Sequence, residues 1–427
     1  MVAPPWAEPL TLLVMVASFG ALVARARWPA GVALAAAAWA GAALNGHWFP
    51  LRHLVEGAFS YLDPVLVIAT ATIFMRVLAE GGALGSIGSA VERGLGRRPV
   101  VLLPVLMGIV MFPGMITGSS TASVLTTGAM AAAILIRMGA ARERAAAFVA
   151  MGSILGMIAP PVNIPAMLIG GGIDLPYVGF ARPLLLISVP LALLVAYALG
   201  WQVLRGPAGA PDVAAASLHP RLHLAPALVP IAVTVVLMLA PQAWPGRVPD
   251  IGLPLVFAVS AVAAVVVSPR FGVLKTLHAA TDEALPVLGI LCGVGAFIQV
   301  MTLTGARGWL VAQMLGAPSW ALVVAAAVSV PLFGAISAFG SASVLGVPFL
   351  LALLGRNEVV TAAALSLLAG LGDLMLPAAL AGTLAARVAG VDDRMRVLRR
   401  CLWPAALAAA VAAVVLWWSP SIGRWLR

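Results

Sequence analysis

Gly114-Met-Ile-Thr-Gly-Ser-Ser-Thr-Ala-Ser-Val-Leu125 returns in the second half of the chain as Gly334-Ala-Ile-Ser-Ala-Phe-Gly-Ser-Ala-Ser-Val-Leu345. Gly, Ile, Ala, Ser, Val and Leu match in place, and Thr117 faces Ser337. Each copy sits inside a longer run without Asp, Glu, Lys or Arg, from Pro99 to Ile136 and from Gly308 to Gly355. Those runs exceed the ~20 residues that one helix needs to cross the hydrocarbon layer. Each must therefore fold back or break, and the helix-weakening Gly and Ser residues at its centre mark the place.

The likeness extends to both sides. Upstream, Phe74, Val77, Gly82, Ala83 and Gly85 correspond to Phe297, Val300, Gly305, Ala306 and Gly308 after a small gap. Downstream, Leu155, Gly156 and Pro161 correspond to Leu371, Gly372 and Pro377. Chance similarity among Ala-rich spans does not easily give three blocks in one order. Internal repeats broken by Gly or Pro at matching places are the mark of secondary transporters, where discontinuous helices of both halves meet near the bilayer midplane. The expected fold is an all-α polytopic membrane protein with two internal repeats, re-entrant hairpins and broken helices. An inverted relation between the repeats needs an odd number of crossings in each, which the readable spans permit.

Composition excludes most other classes. Of 427 residues, 62% are hydrophobic and 9% charged, and the mean hydropathy is +1.08, outside the soluble range. Alternation that would suggest a transmembrane barrel is missing. The net charge of +10 does not point to nucleic acid, because the arginines cluster between spans rather than along one face. Arg25 and Arg27, Arg97 and Arg98, Arg142 and Arg144, and Arg394 to Arg400 instead suit cytoplasmic loops, which places the N-terminus outside. Cys292 and Cys401 have no CxxC spacing, and the histidines have no metal spacing. Met1 to Ala24 lacks a positive leading segment and reads as a first membrane helix rather than a cleaved signal.

Simple spans are expected at Pro9 to Ala24, Trp28 to Gly46, Pro64 to Ala79, Pro183 to Leu204, His223 to Pro241, Ile251 to Ser268, Ala284 to Leu303 and Cys401 to Trp418. The organisation follows as N-terminal helices over 1–50, a first transport repeat over 51–204, a hydrophilic linker over 205–222, connecting helices over 223–270, and a second repeat with a C-terminal helix over 271–427.

Four breaks carry the candidate chemistry. At the first, Gly118 interrupts the helix while Ser119 and Ser120 offer donors and acceptors; its counterpart holds Gly340 and Ser341. Small residues easing helix packing are the competing explanation, and the repetition favours a binding tip. At the second, Pro160, Pro161 and Pro165 remove amide donors, which frees carbonyls near Ala159 and Pro160 for a cation. Asn163 there is expected either to touch solute or to cap the following helix. The partner break, Gly370-Leu-Gly-Asp-Leu-Met-Leu-Pro377, contains Asp373, a carboxylate inside a span and hence a cation ligand or proton carrier, with Gly372 beside it. All four breaks are expected to converge on one site, since each would otherwise leave backbone groups unsatisfied in a low-dielectric layer. Arg76 and Glu80 have the spacing of an ion pair on one helix face, a structural role preferred here over capture of a substrate carboxylate.

At these residues the chain resembles the large membrane subunit of the tripartite ATP-independent periplasmic (TRAP) transporters and, more broadly, the ion transporter superfamily. The likeness is strongest from Met111 to Pro183, with Gly118-Ser-Ser120 followed by Gly-x-x-x-Pro-Pro near residues 156 to 161. It implies an elevator-type carrier in the bacterial inner membrane, driven by Na⁺ and serving small organic acids. It also implies two partners, a small membrane subunit and an extracytoplasmic substrate-binding protein. Two departures stand out: Ser123 occupies a place where the family commonly has an acid, and the motif around Gly340 is uncharged. Both bear on the number and identity of coupled ions. A stand-alone permease or antiporter of the same superfamily is the alternative. A channel is more remote, and an intramembrane enzyme would need a nucleophile and base that the spans do not hold. No cofactor is expected beyond the coupling ion.

Overall fold

The structure, a computed structural model, describes residues 6–205, 223–244, 246–269 and 271–426. Of the linker expected over 205–222, Arg205 ends a helix and residues 206–222 lie outside the described residues. What is described is helical, and eight helices are long and apolar enough to cross a membrane. The chemistry is general: a backbone in lipid must satisfy its own amides and carbonyls, and a helix does so within one segment.

The first half opens with α1 (Ala7–Ala24), α2 (Ala30–Leu44), α3 (Leu51–Phe59), α4 (Leu62–Glu80) and α5 (Ala83–Leu95). A hairpin follows, made of α6 (Pro99–Thr117), α7 (Ser120–Ser123), a π-helical turn at Val124–Gly128, and α8 (Ala129–Arg137). Then come α9 (Arg142–Met157), a break, α10 (Ile164–Gly171) and α11 (Ala181–Arg205). The second half runs through α12 (Leu224–Ala243), α13 (Gly252–Val267), α14 (Val273–Leu303) and α15 (Ala306–Leu315). Its hairpin comprises α16 (Ser319–Gly334), α17 (Ala338–Ser341), a π-helical turn at Ala342–Gly346, and α18 (Val347–Ala352). After it come α19 (Glu358–Leu371), a 3-10 turn at Gly372–Leu374, α20 (Leu380–Val388), α21 (Arg394–Trp417) and α22 (Ser419–Trp425).

Most simple spans fall within a few residues of their expected bounds, but α21 begins at Arg394 rather than Cys401, and α14 begins at Val273 rather than Ala284 and is 31 residues long. Hydropathy marks the part of a helix that suits lipid, and the turns carrying Lys275, Asp282 and Glu283 continue the same helix beyond it. Two close crossings hold α14 in place. A Cβ on Gly31 of α2 would lie 2.1 Å from the Gly289 carbonyl oxygen, and one on Gly57 of α3 would lie 2.5 Å from that of Gly295. Small residues let these backbones touch, as is usual where helices pack in a membrane.

The halves follow one succession of elements, and matching glycines have matching tasks. Gly82 and Gly305, both with positive φ, precede α5 and α15. A Cβ on Gly114 would stand 2.9 Å from the Met157 nitrogen, and one on Gly334 would stand 2.7 Å from Gly372 Cα. In each half, then, the first arm of the hairpin rests directly on the end of the broken helix. The tips correct the sequence alignment. Ser119 caps α7 and Ser337 caps α17, so Ser119 stands opposite Ser337, where the alignment had paired Thr117 with it. Pro113 and Pro331, inside α6 and α16, follow that same register, which sets Gly114 opposite Leu332, so Gly114 and Gly334 make their comparable contacts two residues out of step.

Contacts at the ends show how the halves run. At one end Arg142 donates to the Gly390 carbonyl at 3.4 Å and Arg396 pairs with Glu143 at 3.8 Å. At the other, Arg182 donates to the Leu426 carbonyl at 2.9 Å and Arg356 to those of Leu416 and Trp417 at 2.8 Å. α11 therefore starts at the end where α21 finishes, and the closing helices of the two halves run in opposite directions.

Candidate functional site

The two hairpin tips and the 3-10 turn enclose a cavity of about 340 Å³. Ser119 and Ser120 come from the first tip, Ser337 and Phe339 from the second, and Gly372 and Asp373 from the turn, with Glu283 of α14 on another wall. Gly118 makes the first tip possible. Its φ is +63°, its N–H closes α6 on the Gly114 carbonyl at 2.7 Å, and a Cβ there would lie 2.2 Å from Ile164 Cγ1. Glycine reaches this left-handed conformation without the penalty a side chain would add.

Ser119 accepts from the Ala122 N–H at 3.3 Å, the ordinary work of an N-cap, and still faces the cavity. Ser120 is buried and donates its hydroxyl hydrogen bond to Asp373 Oδ2. That bond joins a tip of the first half to a break of the second. Asp373 enters none of the ion pairs among the described residues. A buried carboxylate without a basic partner is costly at this depth, and such groups mark ion and proton pathways. Its oxygens, with the hydroxyls of Ser119, Ser120 and Ser337, form a hard-oxygen wall suited to a monovalent cation or a proton.

Gly340 and Ser341 stand behind the second tip rather than on the cavity. The Gly340 N–H donates to Ser337 Oγ at 3.1 Å, and buried Ser341 donates to the Val330 carbonyl, tying the tip to its own arm. Ser123 does the corresponding work in the first half, accepting from the Gly114 N–H at 2.8 Å.

The Ala159 to Asn163 break does not join this cavity, so three breaks meet there rather than four. The Val162 N–H donates to the Met115 carbonyl at 3.0 Å and the Asn163 N–H to Tyr177 Oη at 3.1 Å. Held in that way, Pro160 and Pro161 face a second cavity of about 470 Å³, with Asp63, Tyr177, Leu237 and Leu253 on its walls. Ala159 lines an apolar groove beside α11, together with Met107 and Leu185. Asn163 is fully buried. Its Oδ1 accepts from the Ala166 N–H at 2.9 Å, and its Nδ2 donates to the Ile158 carbonyl at 2.7 Å and to Ser366 Oγ at 2.8 Å. Its hydrogen-bonding capacity is spent on capping α10 and joining the two broken helices.

The sequence marks the second tip, Ser337 to Ser343, as a site segment but points within it to Gly340 and Ser341 rather than to Ser337 and Phe339, and it does not mark Glu283. Ser337 and Phe339 follow once the tips are aligned through Pro113 and Pro331, whereas Glu283 reaches the wall because α14 is longer than its apolar part. Arg76 pairs with Glu80 at 3.3 Å and with Glu283 at 3.7 Å, all three side chains being about one-third to one-half exposed.

With this geometry in view, the family model for the tripartite ATP-independent periplasmic transporter, DctM component, matches residues 11–422. The chain belongs to that family. This DctM-family protein is thus a membrane component of a TRAP-type secondary transporter, not an enzyme, and a DctM component works with a small membrane subunit and a substrate-binding protein. Its fold is similar to the crystal structure of the Alcanivorax borkumensis YdaH transporter, with a TM-score of 0.61 and 16% identity over 86% of this chain and 88% of that one. At that identity the likeness concerns the fold alone. Among curated proteins no sequence matches the chain.

Proposed function

We propose that this DctM-family permease couples uptake of a small organic acid to Na⁺ at the cavity where both hairpin tips meet the Asp373 turn. The observation that carries this reading is the Ser120 to Asp373 hydrogen bond, which puts an unpaired carboxylate on a wall shared by both halves. Carbonyls and hydroxyls at the tips hold the cation beside Asp373, and the solute's carboxylate is drawn to the occupied site. The second cavity lies against Asp63 and Val67 of α4, while the first lies against Pro286 and Ile290 at the corresponding turns of α14. Together with the opposed directions of α11 and α21, that pairing supports an inverted repeat and an elevator that opens to each side in turn. The arginine-rich end is read as cytoplasmic, in a bacterial inner membrane.

The test is uptake in proteoliposomes holding this chain, its small membrane subunit and its binding protein. Saturable uptake that collapses when external Na⁺ is replaced by choline is the expected result. Uptake that is indifferent to Na⁺ overturns the coupling. Uptake that persists without the binding protein favours a stand-alone permease.

A further inference from the structure

One end of the bundle carries a basic cleft that the transport site does not use. It lies between the first turn of α9 and the first two turns of α21, has a volume of about 320 Å³, and is lined by Glu143, Arg396, Arg399 and Arg400. Arg396 shares Glu143 at 3.8 Å and Asp393 at 3.7 Å. Arg399 and Arg400 enter no ion pair among the described residues. Arg400 is close enough to Arg144 to repel it. Arg144 in turn lies over the Trp201 ring, 4.8 Å from its centroid, with Arg205 over the same ring at 4.4 Å. Positive charge thus outweighs the acids within the cleft and around it.

The helix geometry sharpens that imbalance. A helix N-terminus carries a partial positive charge, so cations in a first turn are disfavoured there. α21 nevertheless opens Arg394-Met-Arg-Val-Leu-Arg-Arg400 without an acid in its first turn, and α9 opens with Arg142 and Arg144 around Glu143. Asp393 caps α21, with Asp392 before it, and Glu143 lies in the first turn of α9, but these three carboxylates face Arg142, Arg144, Arg394, Arg396, Arg399 and Arg400, and the excess positive charge is left for an anion from outside.

The shape of the surface says which anion. Arg399 stands three residues before Leu402 and four before Trp403, so these residues neighbour it along one helix face. Leu402 is 65% and Trp403 44% exposed, which continues the cleft into an apolar strip on the outside of the bundle. A free phosphate would use the cleft alone, whereas a ligand with a phosphate head and apolar chains would use both. We propose that this cleft binds the headgroup phosphate of an anionic phospholipid, with the acyl chains lying on Leu402 and Trp403. Basic pockets between membrane helices on the cytoplasmic side take such headgroups by the same electrostatics.

The test uses the detergent-purified full chain titrated with phosphatidylglycerol or phosphatidylcholine and read by native mass spectrometry. The wild type is expected to retain phosphatidylglycerol preferentially. The double variant Arg399→Gln/Arg400→Gln should lose roughly tenfold or more of that affinity. Arg424→Gln, at the opposite end, should lose none, and Trp403→Ala should weaken retention of the lipid. Equal retention in the double variant overturns the proposal. So does full displacement of the lipid by inorganic phosphate with no effect of Trp403→Ala, which would make the cleft a free-anion site. Loss of the co-purifying small membrane subunit from the double variant with lipid retention unchanged would overturn it in favour of a protein contact.

Discussion

Ser120, at the tip of the first hairpin, holds the carboxylate of Asp373, in the break of the second half's helix, through a hydrogen bond from its hydroxyl. The two residues are far apart in sequence, and no other acid of the broken segments lies on the cavity. If the coupling cation binds there, Asp373→Asn keeps the shape and removes the charge. Cation stimulation of uptake should then be lost while protein levels stay normal. Ser120→Ala should raise the cation concentration for half-maximal uptake roughly tenfold, as expected for one hydrogen bond to a charged group. Unaltered ion dependence in both variants would remove Asp373 from the site.

Asn163 is expected to act on stability. Asn163→Ala removes the cap of α10 and leaves the Ile158 carbonyl without its donor, at a cost of about 2 kcal/mol or more. Thermal unfolding in detergent should show the loss, with the half-saturating substrate concentration of the surviving protein unchanged. A raised half-saturating concentration at normal stability would return Asn163 to the solute.

The contact between Gly334 and Gly372 leaves no space for a methyl group, since a Cβ on Gly372 would stand 2.4 Å from Gly334 Cα. Gly372→Ala should cost about 1 to 3 kcal/mol by overpacking and push the Asp373 turn away from the tips. Gly108→Ala is the comparison, because a Cβ there meets nothing within 4 Å. Equal melting temperatures for the two variants would contradict the packing argument.

Arg76, between Glu80 and Glu283, should tolerate replacement by lysine. Arg76→Lys keeps the charge, and partly exposed pairs of this kind are worth about 1 kcal/mol or less. Half-saturation in transport assays should shift less than about twofold. A large rise with normal protein levels would instead show a bidentate hold on a substrate carboxylate, which lysine cannot reproduce.

Hydropathy, uncharged runs longer than one crossing, and two copies of a Gly and Ser motif were enough to read helices, breaks and a transporter from the sequence. These signals are local, because a membrane demands apolar side chains and satisfied backbone within each segment whatever its neighbours. Gly118, Ser119, Ser120 and Asp373 were legible as candidates for the same reason: hydroxyls, glycine and a carboxylate are conspicuous inside an apolar run. Which breaks meet depends on how helices cross. Asn163 and Ser120 look alike as polar residues at a break, yet one is enclosed by Ile158, Ala166 and Ser366 while the other reaches Asp373. Pro160 is turned to a different cavity by bonds that Val162 and Asn163 make with Met115 and Tyr177. The sequence by itself determined where the chain spans, where it breaks and which breaks have partners; the tertiary structure alone decided that three breaks share a cavity, because contacts between distant helices set the direction in which each break faces.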